Sequence, residues 1–220
     1  MQSGCEMNES FLTVLNSGCS EIVIQKSRFI GCVCPCKTEE EAQSFIQKNR
    51  AQYPDAKHHC YAYIIGSNSG IMRYSDDGEP GGTAGMPMIS VLKNEGLVNL
   101  CIIVVRYFGG ILLGTGGLVR AYTQSCKAAL ETAGIVRMEL STLLSCRISY
   151  SCWNTLQYQL QKMPVRISDT AFSESIQFTL CMKTKNTASV SEKLISITEG
   201  KIDFLNSEEQ YTPWPAETGI

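Results

Sequence analysis

The chain has 220 residues, a length that allows one large domain or two small ones. Hydrophobic residues make up 44% and charged residues 18% of it, which is ordinary for a soluble globular protein. Its 19 basic and 21 acidic residues exclude a strongly basic body that holds a nucleic-acid duplex through many phosphates. The apolar runs are far shorter than the roughly 20 residues of a membrane span, and no secretory signal is visible at the N-terminus. We therefore expect a cytoplasmic protein with no membrane partner.

Apolar runs bounded by turn residues predict several strands in the first half of the chain. Residues 1–19 contain one short apolar run, which is expected to form an arm or an edge strand. The run 98–106 is apolar on both faces, and this predicts a strand in the middle of a sheet. The other predicted strands are residues 21–25, 28–34, 60–65 and 70–73.

Three helical segments are predicted between and after these strands. Thr38, followed three residues later by Glu41, forms a capping box, and its helix is expected to end before Pro54. Residues 87–92 begin a second helix or a turn. A stripe of small and apolar residues over 118–129 predicts a third helix.

The second half of the chain alternates differently, in the order strand, helix, strand, strand, helix, strand. This order is typical of the ferredoxin-like βαββαβ fold. We therefore predict an α+β protein with two domains, residues 1–137 and 138–220, and a packed or loose tail at 211–215. The predicted elements of the second domain are residues 140–150, 153–163, 165–172, 176–182, 187–198 and 202–205.

Eleven cysteines, none in a Cys-x-x-Cys pair, fit a cytoplasmic protein only as free thiols. Cys32, Cys34 and Cys36 alternate along a predicted strand, so they share one face of it. A metal or redox cluster that also uses the segment 58–60 is the alternative. Zinc sites usually show two paired spacings, so we favour the interpretation as small buried hydrophobic residues.

Two glycine-dense segments, residues 74–85 and 108–117, lie on either side of the apolar run 98–106. A chain concentrates glycine where φ must be positive or where another group approaches the backbone closely. Two such loops flanking one buried strand predict a single site.

The residues around these loops form a long ordered pattern, in which the chain resembles the YigZ family, bacterial relatives of the eukaryotic protein IMPACT. The resemblance implies an N-terminal domain like domain 2 of ribosomal protein S5. It also implies a ferredoxin-like C-terminal domain like the last domain of translocating elongation factors, and a translation-linked or nucleic-acid-binding role. The pattern consists of His58 and residues 60–63, 73–80, 82–87, 106–110, 113–114 and 116–122.

The second glycine loop precedes a predicted helix and can bind an anion. Free N–H groups at a helix N-terminus attract phosphate, and Arg120 can add a bidentate contact. The alternative is a tight strand-to-helix turn with Arg120 solvated or ion-paired. Neighbouring aromatic side chains can stack on bases or pack in the core. The predicted nucleic-acid or anion-binding residues are Arg73, Arg106, Tyr107, Gly109, Gly110, Gly114, Gly116, Gly117 and Arg120.

The first glycine loop is acidic and defines a second possible ligand site. Its side chains and one histidine can bind a divalent cation, or the sequence is an ordinary turn whose charges Arg73 and Arg106 neutralise. A pair of Cys60 or Cys101 with His58 or His59 is a further alternative. No Gly-x-Ser-x-Gly nucleophile elbow is present. The residues of this possible site are His58, Asp76, Asp77 and Glu79.

Three functional hypotheses follow from these observations. The favoured one is a regulatory protein of translation whose partner is RNA or the ribosome. The others are a metal-assisted hydrolase that uses the acidic loop, and an interaction domain that binds another translation-related protein without catalysis. We expect no catalytic residue, no metal and no cofactor.

Overall fold

A computed structural model describes residues 10–66 and 70–216. The chain forms two compact units. The first contains the chain up to Met138 and the tail from Pro213, and the second is Glu139–Thr212. This division differs from the predicted one by a single residue at the boundary, and by the tail, which groups with the first unit rather than the second.

The first unit contains an antiparallel sheet in the order β2-β3-β6-β4-β5. Strand β6 lies in the middle and is buried along almost its whole length, which confirms the prediction for the run 98–106. Before the sheet, β1 is formed by Ser10–Val14, so the predicted N-terminal apolar run is a strand. The strands of the sheet are β2 (Gly18–Ile24), β3 (Ser27–Pro35), β4 (His58–Ile65), β5 (Ile71–Ser75) and β6 (Leu100–Tyr107).

Helices cover both faces of this sheet. Helices α2 (Gly85–Asn94) and α3 (Gly114–Ala133) pack on one face, and α1 (Glu39–Gln52) packs on the other. Because side chains alternate along a strand, Ala62 faces α2 and α3 while its neighbour Tyr63 faces α1. Each sheet residue near the candidate site can be assigned to a face by the same rule.

Local sequence accounts for the ends of α1 and for the first hairpin. Thr38 Oγ1 accepts from the backbone N–H of Glu41 at 3.2 Å, as the capping box predicts, and α1 ends before Pro54. Strands β2 and β3 are joined by Gln25 and Lys26, whose φ angles are 45° and 66°. Two consecutive positive φ angles are the signature of a type I′ hairpin turn.

The second unit has the ferredoxin-like fold. Strand β7 pairs with β9 and with β10, and β8 pairs with β9. The predicted last strand is too short, because β10 continues through the segment expected to be a tail. Residues 206–210, between the predicted strand and the tail, are polar and exposed, so they lack the apolar alternation that marks a strand. The elements are β7 (Ile135–Ile148), α4 (Tyr150–Leu160), β8 (Arg166–Phe172), β9 (Ile176–Lys183), α5 (Thr187–Ile197) and β10 (Ile202–Pro215).

One cysteine pair contradicts the prediction that all the cysteines are free thiols. Cys19 and Cys32 lie opposite each other in the β2–β3 ladder and form a disulfide. The spacing of the sequence could not show this pairing, because it depends on the register of two strands. Seven of the free cysteines are buried, as expected for small hydrophobic residues: Cys34, Cys36, Cys60, Cys101, Cys126, Cys146 and Cys181.

None of the helices within residues 10–66 and 70–216 has both the length and the apolar character needed to cross a bilayer.

Candidate functional site

The two glycine loops begin at the same end of the first sheet, where strands β5 and β6 finish. The end of β5, Ser75, lies opposite Tyr61, and Arg106 near the end of β6 lies opposite His58. Both partners are in the first half of β4, so β5 and β6 finish side by side. Helices α2 and α3 follow these loops, so both helices begin at that end of the sheet.

Asp76 caps helix α2 from eight residues upstream. Its Oδ1 accepts from the backbone N–H groups of Ala84 at 3.0 Å and Gly85 at 2.8 Å, and its Oδ2 accepts from Gly82 at 2.8 Å. A carboxylate at this end of a helix satisfies unpaired donors and complements the helix dipole. The Asp76 side chain therefore has a structural role that accounts for both its oxygens.

Asp77 ties the acidic loop to α1 and β4. Its Oδ1 accepts from Arg50 Nη2 at 2.7 Å, and its Oδ2 accepts from the backbone N–H of His59 at 2.7 Å. Its carbonyl oxygen lies 2.9 Å from Nδ1 of His58. Arg50 stands far from this loop in the sequence, and no motif pointed to it.

Glu79 joins the first loop to β6 and α3. Its Oε1 accepts from Arg106 Nη1 at 2.7 Å and from the hydroxyl of Tyr122 at 2.8 Å. The Glu79 and Arg106 side chains are only 3% and 7% exposed. Burial raises the pKa of Tyr122, so its hydroxyl stays protonated and donates. Arg106, predicted to bind phosphate, is engaged inside the protein instead.

These contacts argue against a metal site at the acidic loop and against a Cys–His pair. A cation at the acidic loop would have to displace the N–H and guanidinium donors already bound to Asp76, Asp77 and Glu79. Among the residues that the structure describes, no three potential ligand side chains converge on one point. The Cys60 thiol donates to the carbonyl of Asp76 at 2.9 Å rather than to a histidine, and burial raises its pKa to about 12.

The N-terminus of α3 differs from that of α2. The N-cap residue of α3, Leu113, makes no side-chain cap hydrogen bond, and the first turn of the helix contains no acidic residue. Gly116 is exposed, its φ is not in the left-handed region, and no atom lies within 4 Å of where a Cβ would stand. Arg120 follows one turn later on the same face and is also exposed. The N–H groups of this turn therefore face solvent beside a cation.

The structure does not bring all the predicted anion-binding residues together. Arg73 lies opposite Tyr63, so it is on the α1 face, where it stands 3.8 Å from Glu39. Tyr107 is on the same face, with the Arg28 guanidinium 5.3 Å from its ring centre. Neither residue shares a surface with Arg120.

The remaining glycines of the second loop serve different purposes. Gly109 is required by packing, because a Cβ there would lie 2.0 Å from the carbonyl carbon of Lys26. Gly110 and Gly114 have φ angles of 85° and 69°, so they shape the turn. A Cβ on Gly117 would stand 3.0 Å from that of Leu113, which is tight.

The tip of the second loop has an apolar character that the sequence analysis did not use. Leu112 is 86% exposed, Phe108 54% and Ile111 43%. Large apolar side chains in a glycine-rich loop were the available signal, because such a loop cannot bury them. A cluster of exposed apolar side chains is typical of an interaction surface.

Comparison with known proteins agrees with this architecture. Residues 25–130 match the Impact N-terminal domain, and residues 146–201 match a domain of unknown function, DUF1949. The chain is 41% identical to the IMPACT family member YvyE of Bacillus subtilis, over 93% of this chain and 94% of that protein. It is 35% identical to the IMPACT family member YigZ of Escherichia coli, over 84% and 92% of the two chains.

A solved structure is also similar to this chain over most of its length. The crystal structure of a hypothetical protein is 33% identical to this chain, covers 93% of it and all of its own length, and superposes with a TM-score of 0.58. Both domains are thus shared with proteins of one group. The chain belongs to the IMPACT family.

Proposed function

We propose that this protein, whose membership of the IMPACT family fits a translation-related regulatory role, acts by binding RNA, free or within the ribosome, at the N-terminus of α3. The observation that carries the proposal is the contrast between the N-termini of two helices that begin at the same end of the sheet. The N-terminus of α2 is closed by Asp76, whereas that of α3 carries no carboxylate.

Phosphate is the ligand that suits this position. The N–H groups of the first turn and the positive end of the 20-residue helix α3 favour an anion. Glycine at position 116 weakens the helix and is required neither by φ nor by packing. It does allow a ligand to approach the backbone closely, and Arg120 can bind a second oxygen of the phosphate.

The contact with RNA is local because the body of the protein has a net charge of only −2. Arg106 contributes by holding the loops together through Glu79, and Arg73 is assigned no part in binding. Phe108, whose ring lies 5.7 Å from the Arg106 guanidinium, is available to stack on a base. The proposal includes no catalytic step and no cofactor, and it places the protein in the cytoplasm.

A second candidate function is favoured by the exposed apolar tip of the second loop. Phe108, Ile111 and Leu112 form a small apolar surface beside the N-terminus of α3. Such a surface suits another translation-related protein, bound with or without RNA.

The test is a titration of fluorescently labelled single-stranded RNA, followed by anisotropy at several salt concentrations. Two or three phosphate contacts predict a salt slope of about −2, because each contributes about −0.7. Replacing Arg120 with Ala should weaken binding of all sequences alike and make the slope shallower by about 0.7. Lys193→Ala, which removes an exposed charge from α5, is the control and should bind as the unchanged protein does.

Absence of binding, or equal binding by the Arg120→Ala and Lys193→Ala variants, would contradict the proposal. The protein-interaction function would then be the better account of the second loop.

A further inference from the structure

Three free cysteines lie close together at the end of the first sheet that is far from the glycine loops. Strand β3 begins beside those loops and ends at Pro35, so Cys34 and Cys36 lie at its far end. Cys101 of β6 lies directly opposite Cys34. All three thiols are buried and form part of the core between the sheet and α1.

Cys34 and Cys36 are held close together. Their sulfur atoms are 3.2 Å apart, one of the two thiols donating a hydrogen bond to the other. Cys34 is fixed by the β3–β6 ladder, and the backbone N–H of Cys36 donates to the carbonyl of Asn99 at 2.9 Å. A contraction of about 1 Å would bring the two sulfurs to the length of a disulfide bond.

The environment also favours the reactive form of one thiol. The pKa of Cys36 is lowered because the Cys34 thiol donates a hydrogen bond to its sulfur, and burial opposes this only in part. In contrast, burial raises the pKa of Cys126 and of Cys146 to about 12. The thiolate is the nucleophilic form of cysteine, so Cys36 is expected to react before those thiols.

We propose that Cys34 and Cys36 form a dithiol site that hydrogen peroxide oxidises to a disulfide. The Cys36 thiolate attacks one peroxide oxygen, the O–O bond breaks, and Cys36 sulfenic acid and hydroxide form. The Cys34 sulfur then attacks the sulfenic sulfur; the S–S bond forms, the S–O bond breaks, and water leaves with the proton of Cys34. In total, two thiols and one peroxide give one disulfide and two waters; an external dithiol then reduces this disulfide to two thiols and is itself oxidised to a disulfide.

The site is separate from the proposed RNA site and differs from the disulfide already present. Cys19 and Cys32 are bonded across the β2–β3 ladder. The new bond would join two residues of a single segment at the end of β3. Cys34 is 8% and Cys36 only 2% exposed, so peroxide reaches the Cys36 sulfur when this end of β3 opens locally.

Peptide mapping of the full-length protein tests the proposal. The native protein is treated with hydrogen peroxide, alkylated with N-ethylmaleimide in denaturant, and digested with trypsin without reductant. Trypsin cleaves after Arg28 and Lys37, so Cys34 and Cys36 remain in one peptide, which Cys32 links through its disulfide to the peptide of Cys19. Both should lose their maleimide adducts together, and before Cys126 loses its own, because the pKa of Cys36 is lowered whereas burial raises that of Cys126. Dithiothreitol should restore both adducts.

Two single variants and a control separate this reaction from general oxidation. In Cys34→Ser or Cys36→Ser, the remaining thiol cannot form the bond, so no intrapeptide disulfide should appear. Cys126→Ser, on the other face of the sheet, should leave the reaction unchanged. Retention of both adducts while the partly exposed Cys152 is oxidised would overturn the proposal. Oxidation of Cys36 alone to a sulfinic acid in the unchanged protein would overturn it as well.

Discussion

The carboxylate of Glu79 and the guanidinium of Arg106 lie 2.7 Å apart, and this buried ion pair joins the two glycine loops. Glu79 belongs to the first loop, and Arg106 is the penultimate residue of β6, just before the second. The same carboxylate oxygen accepts from Tyr122 of α3. The pair therefore sets where α3 starts relative to the acidic loop, although neither side chain faces solvent.

Replacing Glu79 with Ala should lower the free energy of unfolding by about 3–5 kcal/mol, because the Arg106 charge would stay buried without a partner. Tyr122→Phe removes one hydrogen bond to the same carboxylate and should cost about 1 kcal/mol. Urea unfolding of both variants measures the difference. If both variants lose the same small amount of unfolding free energy, the ion pair does not hold the two loops together.

Replacing Gly109 with Ala should destabilise the protein by about 3 kcal/mol, because the new methyl group would meet the backbone of Lys26. Gly81 is the matched control, since a Cβ there meets no atom within 4 Å and its φ is not in the left-handed region. Gly81→Ala should change stability by less than about 1 kcal/mol. Thermal unfolding compares the two; a tolerated Gly109→Ala would mean that the loop does not pack on the hairpin.

Stability should fall as the pH rises above the ordinary pKa of a thiol. Burial raises the pKa of Cys126 from 9.0 to about 12, so between these values the folded state holds a proton that the unfolded state has lost. The contribution of this thiol is complete below pH 9.0 and is lost on the way to about pH 12. Within that window the slope is up to about −1.4 kcal/mol per pH unit.

The Cys126→Ala variant checks the assignment by removing the titrating group. Its unfolding free energy should be lower at neutral pH, because a small cavity is left, yet it should fall less steeply between pH 9.0 and about 12. An unchanged slope would mean that Cys126 does not contribute to the alkaline loss of stability.

Periodic patterns were enough to predict most of the fold. Strand β6 is apolar on both faces and lies in the middle of its sheet, and Thr38 caps α1 as its spacing with Glu41 indicated. Both depend on residues close in sequence. The length of β10 was missed because its pairing with β7 is a long-range contact that leaves no apolar alternation.

The convergence of the two glycine loops was predictable, but the partner of each side chain was not. The glycines marked the two loops that meet at one end of the sheet, whereas the partner of Glu79 depends on the β4–β6 register and on where α3 packs. The separation of Arg73 from Arg120 also depends on register, since Tyr63, opposite Arg73, lies on the α1 face. Arg50, the partner of Asp77, gave no local signal.

The central claim, that the N-terminus of α3 binds RNA phosphate, is tested most directly by placing a charge in its first turn. Gly116→Glu and Gly116→Gln add side chains of similar size where no atom lies within 4 Å of the new Cβ. Both should stabilise the protein by about 1 kcal/mol, because glycine is a poor helix former, and Glu should add a few tenths more by complementing the dipole.

Anisotropy with labelled RNA then compares the two variants at low salt. The account predicts that Gly116→Glu binds about tenfold more weakly than Gly116→Gln, although it is at least as stable, because its carboxylate takes the place of the phosphate and repels it. Equal affinities of the Glu variant, the Gln variant and the unchanged protein would contradict the account.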